Sequence, residues 1–135
     1  YGDGEQQRCF SYIDDCLYCL NALAFQDDVV GEVVNIGPDE ESCTINDLAE
    51  MCANETGLNL DVLYHKDRPQ EVKIAVCSSD KARKLLGYKT STNVRQSVQK
   101  TAEYIRTRGT KKFQYHLPLE IINDKTPDTW KNKLI

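Results

Sequence analysis

At 135 residues, with 40% hydrophobic and 28% charged side chains, the sequence is long and apolar enough to bury one core and is not disordered. A formal net charge of −4 argues against a nucleic-acid surface as the main business of the fold, and no apolar run reaches the length of a membrane span. The chain opens on Tyr1, directly in a turn-forming loop, as expected for the C-terminal piece of a longer protein.

In chain order, Gly2-Asp3-Gly4 reads as a tight turn, and residues 9–13 as a short strand in which Phe10 and Tyr12 alternate with smaller residues. Asp14 is the expected N-cap of a helix. Its Ile13, Leu17, Leu20 and Ala24 share one face, and it ends near Gln26-Asp27-Asp28. Val33-Val34-Asn35-Ile36 predicts a buried strand stopped by Gly37-Pro38. Thr44-Ile45-Asn46-Asp47 has the pattern of a capping box, ahead of a helix with Ile45, Leu48, Ala49 and Cys52 inward and Gly57 as its stop. Residues 58–64 and 72–76 read as strands on either side of an Arg68-Pro69 loop. Ser78-Ser79-Asp80 opens a short helix carrying Ala82, Leu85 and Leu86 and closed by Gly87. Ser91 or Thr92 is expected to start the longest helix, with Val94, Val98, Thr101 and Ile105 inward and Gly109 at its end. Beyond Lys111 the periodicity fades. Phe113, Tyr115, Leu117, Ile121, Ile122 and Trp130 predict an extended tail that docks on something. The fold class is therefore α/β, a small mixed domain over residues 1–110 with a docking tail over 111–135.

Two arginines on two loops carry the main functional signal. Arg8 and Arg68 are guanidinium forks that stay charged and match phosphate oxygens bidentately, so together they could grip a diphosphate. Either arginine alone is explained as well by a surface ion pair. Gly2 and Gly4 permit positive φ, but Gln7 stands where a dinucleotide fingerprint needs its third glycine, and the loop feeds a strand rather than a helix. Cys16 and Cys19 form a C-x-x-C with no second pair to complete a zinc site. With Cys9, Cys43, Cys52 and Cys77 they read as reduced thiols of a cytoplasmic protein, against the rival of a thiol or metal protein. His65 and His116 stand apart from any nucleophile, and Asp14 and Asp15 fit a helix start better than an acid–base pair. The residues by themselves thus predict a binding site and no catalytic one.

Several segments then resemble, in order, one family. The run from Gly2 to Asp15, Asn35-Ile36-Gly37, the capped helix from Thr44 to Ala49, Arg68-Pro69-x-Glu71-Val72 and the run from Ser79 to Tyr88 are similar to extended short-chain dehydrogenase/reductases acting on nucleotide sugars. The resemblance covers about residues 1–109. It implies the substrate-binding part of an NAD-dependent sugar-nucleotide epimerase, with a decarboxylase of the UDP-glucuronate kind or an NDP-sugar dehydratase as alternatives. It also implies that Arg8 and Arg68 contact the diphosphate, that Tyr1, Gly2 and Gln6 line the nucleotide loop, and that Asn35 is a further substrate-binding candidate. NAD would be held by an N-terminal domain absent here, since no tyrosine of this chain has a lysine four residues on. The full-length enzyme is expected to be a homodimer, and this piece alone to be inactive. A sugar-nucleotide binding module without catalysis is the alternative of another class.

Overall fold

Helices carry most of the regular structure in the computed structural model, which describes residues 1–112, 114 and 122–133. Strand β1 (Gln7–Arg8) is the middle of a three-stranded sheet. Strand β2 (Cys43–Thr44) pairs with it antiparallel and β3 (Ile74–Ala75) pairs with it parallel, so Arg8 stands opposite both Cys43 and Ala75. The small mixed α/β class holds, but the strands are shorter than the sequence predicts. Residues 9–13 are not a strand, because pairing stops after Arg8 and helix α1 (Ile13–Phe25) follows. Residues 58–64 and 33–36 form no ladder either. Apolar alternation supplies side chains for a strand but not a neighbour, and no backbone partner flanks residues 33–36 among the described residues. Val34 and Ile36 still rest on the core, while Val33 is 84% exposed.

Helix α1 is rotated from the expected face. Asp15 and Cys19 are buried and Ala22 and Leu23 pack on the core, whereas Ile13, Leu17 and Leu20 are each about half exposed. The two stripes are offset by two residues, nearly opposite sides of a helix. Asp15 fixes the choice. Its carboxylate accepts the backbone N–H groups of Ser91 and Thr92 and both of their hydroxyls, at 2.9–3.3 Å. Asp14 lies in the first turn, and the N-cap position falls to Tyr12 without a side-chain bond. A single 3₁₀ turn, Asp27–Val29, follows.

Helix α2 (Ile45–Thr56) has the predicted capping box. The Thr44 hydroxyl accepts from the Asp47 N–H, the Asp47 carboxylate accepts from the Thr44 N–H, and Gly57 ends the helix at φ 70°. Helix α3 (Asp80–Leu86), closed by left-handed Gly87, packs on α1, and Cys19, Val29, Ala82, Leu86 and Tyr88 form the core between them. Arg83 ties α3 to the preceding loop through Asp39 and Glu40. Its hydrogen bond, together with the Ser79 N–H, holds the Asp39 carboxyl down at about 2. Helix α4 (Val94–Arg108) packs on α2. Its cap is Asn93, in a capping box with Gln96, and not Ser91 or Thr92, which Asp15 has taken. Helix α5 (Asp128–Lys131) belongs to the C-terminal segment. Of the predicted tail residues, Phe113, Tyr115, Leu117 and Ile121 lie outside the described residues, as does His116, while Ile122 and Trp130 are exposed.

All six cysteines are free thiols. Cys19 is in the core, and burial pushes the thiols of Cys9, Cys16 and Cys43 up. Among the described residues no group of His, Cys, Asp or Glu is arranged to hold a metal, and no helix is long and apolar enough to cross a membrane.

Candidate functional site

The short central strand organises two loops and the start of α2 around one point. Gly2 N–H donates to the His65 carbonyl and Gln7 N–H to the Lys73 carbonyl, each at 2.8 Å. On the other side, Asn46 and Ile45 donate to the carbonyls of Gly4 and Gln6, each at 3.1 Å. Gly2 and Gly4 both sit at positive φ, 66° and 76°. A Cβ on Gly2 would run into the Asp67 side chain, and one on Gly4 into Asn46. The glycines therefore answer to the protein's own side chains, and the loop is not a cradle for a dinucleotide phosphate.

Both arginines reach the same carboxylate. Arg8 Nη1 donates to its neighbour's carbonyl at Gln7 (2.8 Å), and its Nη2 meets Glu71 Oε1 at 2.9 Å. Arg68 places Nε and Nη2 on Glu71 Oε2, at 2.7 and 2.6 Å. The Arg68 guanidinium also lies over the Tyr1 ring, 4.7 Å from its centroid, and the Tyr1 ring is tilted against His65. The Glu71 side chain is only 12% exposed. One mostly buried carboxylate thus stands against two guanidiniums, which leaves the three side chains with a net positive charge.

Tyr1, Gln6, Arg8 and Arg68 line one cleft of about 340 Å³, together with Asn46 and Tyr64. Gln6 is 4% exposed. Its Nε2 donates to the Tyr1 carbonyl at 2.6 Å, but its Oε1 has no hydrogen-bond partner among the described residues, and neither has the buried Tyr1 hydroxyl. An unmet buried polar atom costs about 1–3 kcal/mol, and both of these belong to residues that line the cleft. Gly2 lies beside the cleft, on a shallower depression with His65 and Asp67. Asn35 is exposed on residues 33–36 and does not line the cleft.

Glu71 and Asn46 also line the cleft, and the sequence assigns neither a binding role. For Glu71 the available signal is its i,i+3 spacing from Arg68. For Asn46 there is none, because its bonds to the Asp3 carbonyl, to Glu5 and from the Tyr64 hydroxyl join distant segments. A second cavity, about 420 Å³ between α2 and α4, is lined by residues such as Phe10, Leu48, Val98 and Ile105 and carries no charged side chain.

No family model matches the chain. UDP-glucuronate 4-epimerase of Thermodesulfobacterium geofontis is 26% identical over 104 residues, 77% of this chain and 32% of that protein. UDP-N-acetyl-alpha-D-glucosaminuronate decarboxylase of Bacillus cytotoxicus is 42% identical over 50 residues, 37% of this chain and 15% of that protein. The crystal structure of UDP-glucuronic acid 4-epimerase from Bacillus cereus, in complex with UDP-glucuronic acid and NAD, superposes with a TM-score of 0.71 at 31% identity. That match covers 81% of this chain and 35% of the other. The chain spans about a third of the length of the curated relatives it matches over most of its own length.

Proposed function

We propose, for a chain related over about 80% of its length to the UDP-sugar epimerases and dehydratases of the extended short-chain dehydrogenase/reductase family and aligned with their C-terminal part, that it is the nucleotide-diphosphate-sugar binding portion of an NAD-dependent epimerase. The reading rests on the convergence of Arg8 and Arg68 on one cleft. Two guanidinium forks a carboxylate apart suit two linked phosphates, and the unmet Gln6 Oε1 is an acceptor for a nucleoside hydroxyl or N–H. Tyr1 and Gly2 flank that end. Asn35, exposed and outside the cleft, stays a separate candidate.

NAD accompanies several of the related structures, and hydride exchange is the chemistry it supplies when bound. The residues of this chain do not fit it: the first loop is filled by Asp67 and Asn46, and it runs into β1 rather than a helix. This portion instead contributes binding energy far from the reacting carbon and orients the sugar, which lowers the barrier only through positioning. Residues 1–110 would form the binding part and 111–135 a docking tail, in a cytoplasmic enzyme that is a homodimer. A decarboxylase is the second reading, favoured by the 42% identity over 50 residues to one.

The test is a double-mutant cycle on uridine diphosphate binding in the intact protein that contains this chain, with uridine monophosphate as control. Arg8→Ala and Arg68→Ala should each remove about 1.5–3 kcal/mol, one to two decades of diphosphate affinity. Sharing one ligand group, they should not be additive. Arg8→Lys keeps the charge, loses the fork and should still weaken binding. Diphosphate affinities unchanged in both alanine variants would refute the site.

A further inference from the structure

We infer that Glu71 is the positioning residue of the anion cleft, holding the two guanidiniums in the spacing that distinguishes a diphosphate from a single phosphate; this rests on the reading of the cleft given above. Its two carboxylate oxygens are divided, Oε1 to Arg8 and Oε2 to Arg68. Two like charges facing one cavity repel, and a long side chain such as Arg68, 39% exposed, has many other rotamers open to it. A single carboxylate between them removes both problems. It offsets the repulsion, and it is itself held by the backbone near β3, where Glu71 N–H donates to the Arg68 carbonyl at 3.3 Å.

The remaining contacts restrict each arginine from another direction. Arg8 Nη1 donates to the Gln7 carbonyl at 2.8 Å and to the Lys73 carbonyl at 3.4 Å, and the Arg68 guanidinium lies over the Tyr1 ring. Each guanidinium is thus held both by Glu71 and from a second direction, while both still line the cleft. The forks are pre-ordered before any ligand arrives, so a diphosphate meets them without the cost of collecting two mobile side chains. Without the carboxylate one fork at a time would still find a phosphate, but not both together. Glu71 would then act on the ratio of diphosphate to monophosphate affinity more than on phosphate binding as such.

The experiment compares uridine diphosphate and uridine monophosphate binding by calorimetry in the intact protein and in Glu71→Gln, which keeps size and one acceptor oxygen, and in Glu71→Asp. Because the readout is a ratio within one preparation, a partly unfolded variant does not imitate the effect. Glu71→Gln should cut the diphosphate preference about tenfold, with monophosphate affinity changed less than threefold. Glu71→Asp, a methylene too short to serve both arginines but still charged, should fall between. A ratio unchanged in Glu71→Gln overturns the inference. So does an equal loss for both ligands, which would mean that Glu71 only maintains the loop, and so does tighter diphosphate binding, which would make the carboxylate a competitor for the arginines. If Arg8→Ala and Arg68→Ala lower the ratio while Glu71→Gln does not, the inference fails and the diphosphate site stands. If Arg8→Ala and Arg68→Ala leave diphosphate affinity itself unchanged, the site is refuted.

Discussion

Asp15 is a buried carboxylate that, among the described residues, forms no ion pair and accepts four hydrogen bonds from Ser91 and Thr92. Burial pushes its carboxyl up, and the four bonds together outweigh that and bring it below the ordinary aspartate value. A depressed folded-state pKa gives stability that is present above the unfolded value, near 3.9, and is lost as pH falls through the folded one. Asp15→Asn should therefore cost about 1–3 kcal/mol at pH 7. In urea melts its deficit against wild type should shrink below about pH 4; an equal deficit at pH 7 and pH 3 would show that charge plays no part. The glycines allow a similar separation of causes. Gly4 and Gly31 share a left-handed φ, 76° and 82°, but only Gly4 has a side chain, Asn46, where a Cβ would stand. Gly4→Ala should be more destabilising than Gly31→Ala by about 1 kcal/mol or more, the excess being the packing conflict. Asn46→Ala in the Gly4→Ala background should recover that excess and leave the φ cost; no recovery would place the strain elsewhere.

For helices α2 and α4, capping boxes mark where each begins. Thr44→Ala should cost about 1 kcal/mol by freeing the first N–H groups of α2, read as a shift in the thermal melt. Asn93→Ala should do the same for α4. Thr92→Ala, one residue earlier, should act through Asp15 instead. Its effect should overlap with that of Asp15→Asn in a double-mutant cycle, whereas Asn93→Ala should add to it independently. Additivity of Thr92→Ala with Asp15→Asn would return the cap to Thr92. Thr44 was legible because threonine and aspartate three apart, ahead of an apolar stripe, make a local pattern that needs nothing else. The start of α4 was not, since a carboxylate 76 residues away claims both expected caps, Ser91 and Thr92, and leaves the position to Asn93. The same contact turned α1, whose sequence has apolar residues on both sides and so leaves its inward face open.

At the level of the whole molecule, the outer side of α1 (Ile13, Leu17, Leu20), Phe25 and Val33 keep 50% or more of their surface in water, an unusual exposure for large apolar side chains. The isolated chain is expected to self-associate as its concentration rises, by light scattering, and to bind NAD no more tightly than millimolar in calorimetry. A concentration-independent monomer with a sharp reversible melt, or micromolar NAD binding, would count against these two expectations in turn. The sequence by itself determined the mixed α/β class, the helices α2 and α3 with their glycine stops, and the capping box of α2, because these depend on neighbours within a few residues. Only the tertiary structure decided the extent of the strands, the buried face of α1, the filling of the glycine loop by Asp67 and Asn46, and the sharing of Glu71 between Arg8 and Arg68. Each of these needs a partner from a distant segment, and hydrogen-bond pairing and side-chain packing exist only once the chain has brought the two together.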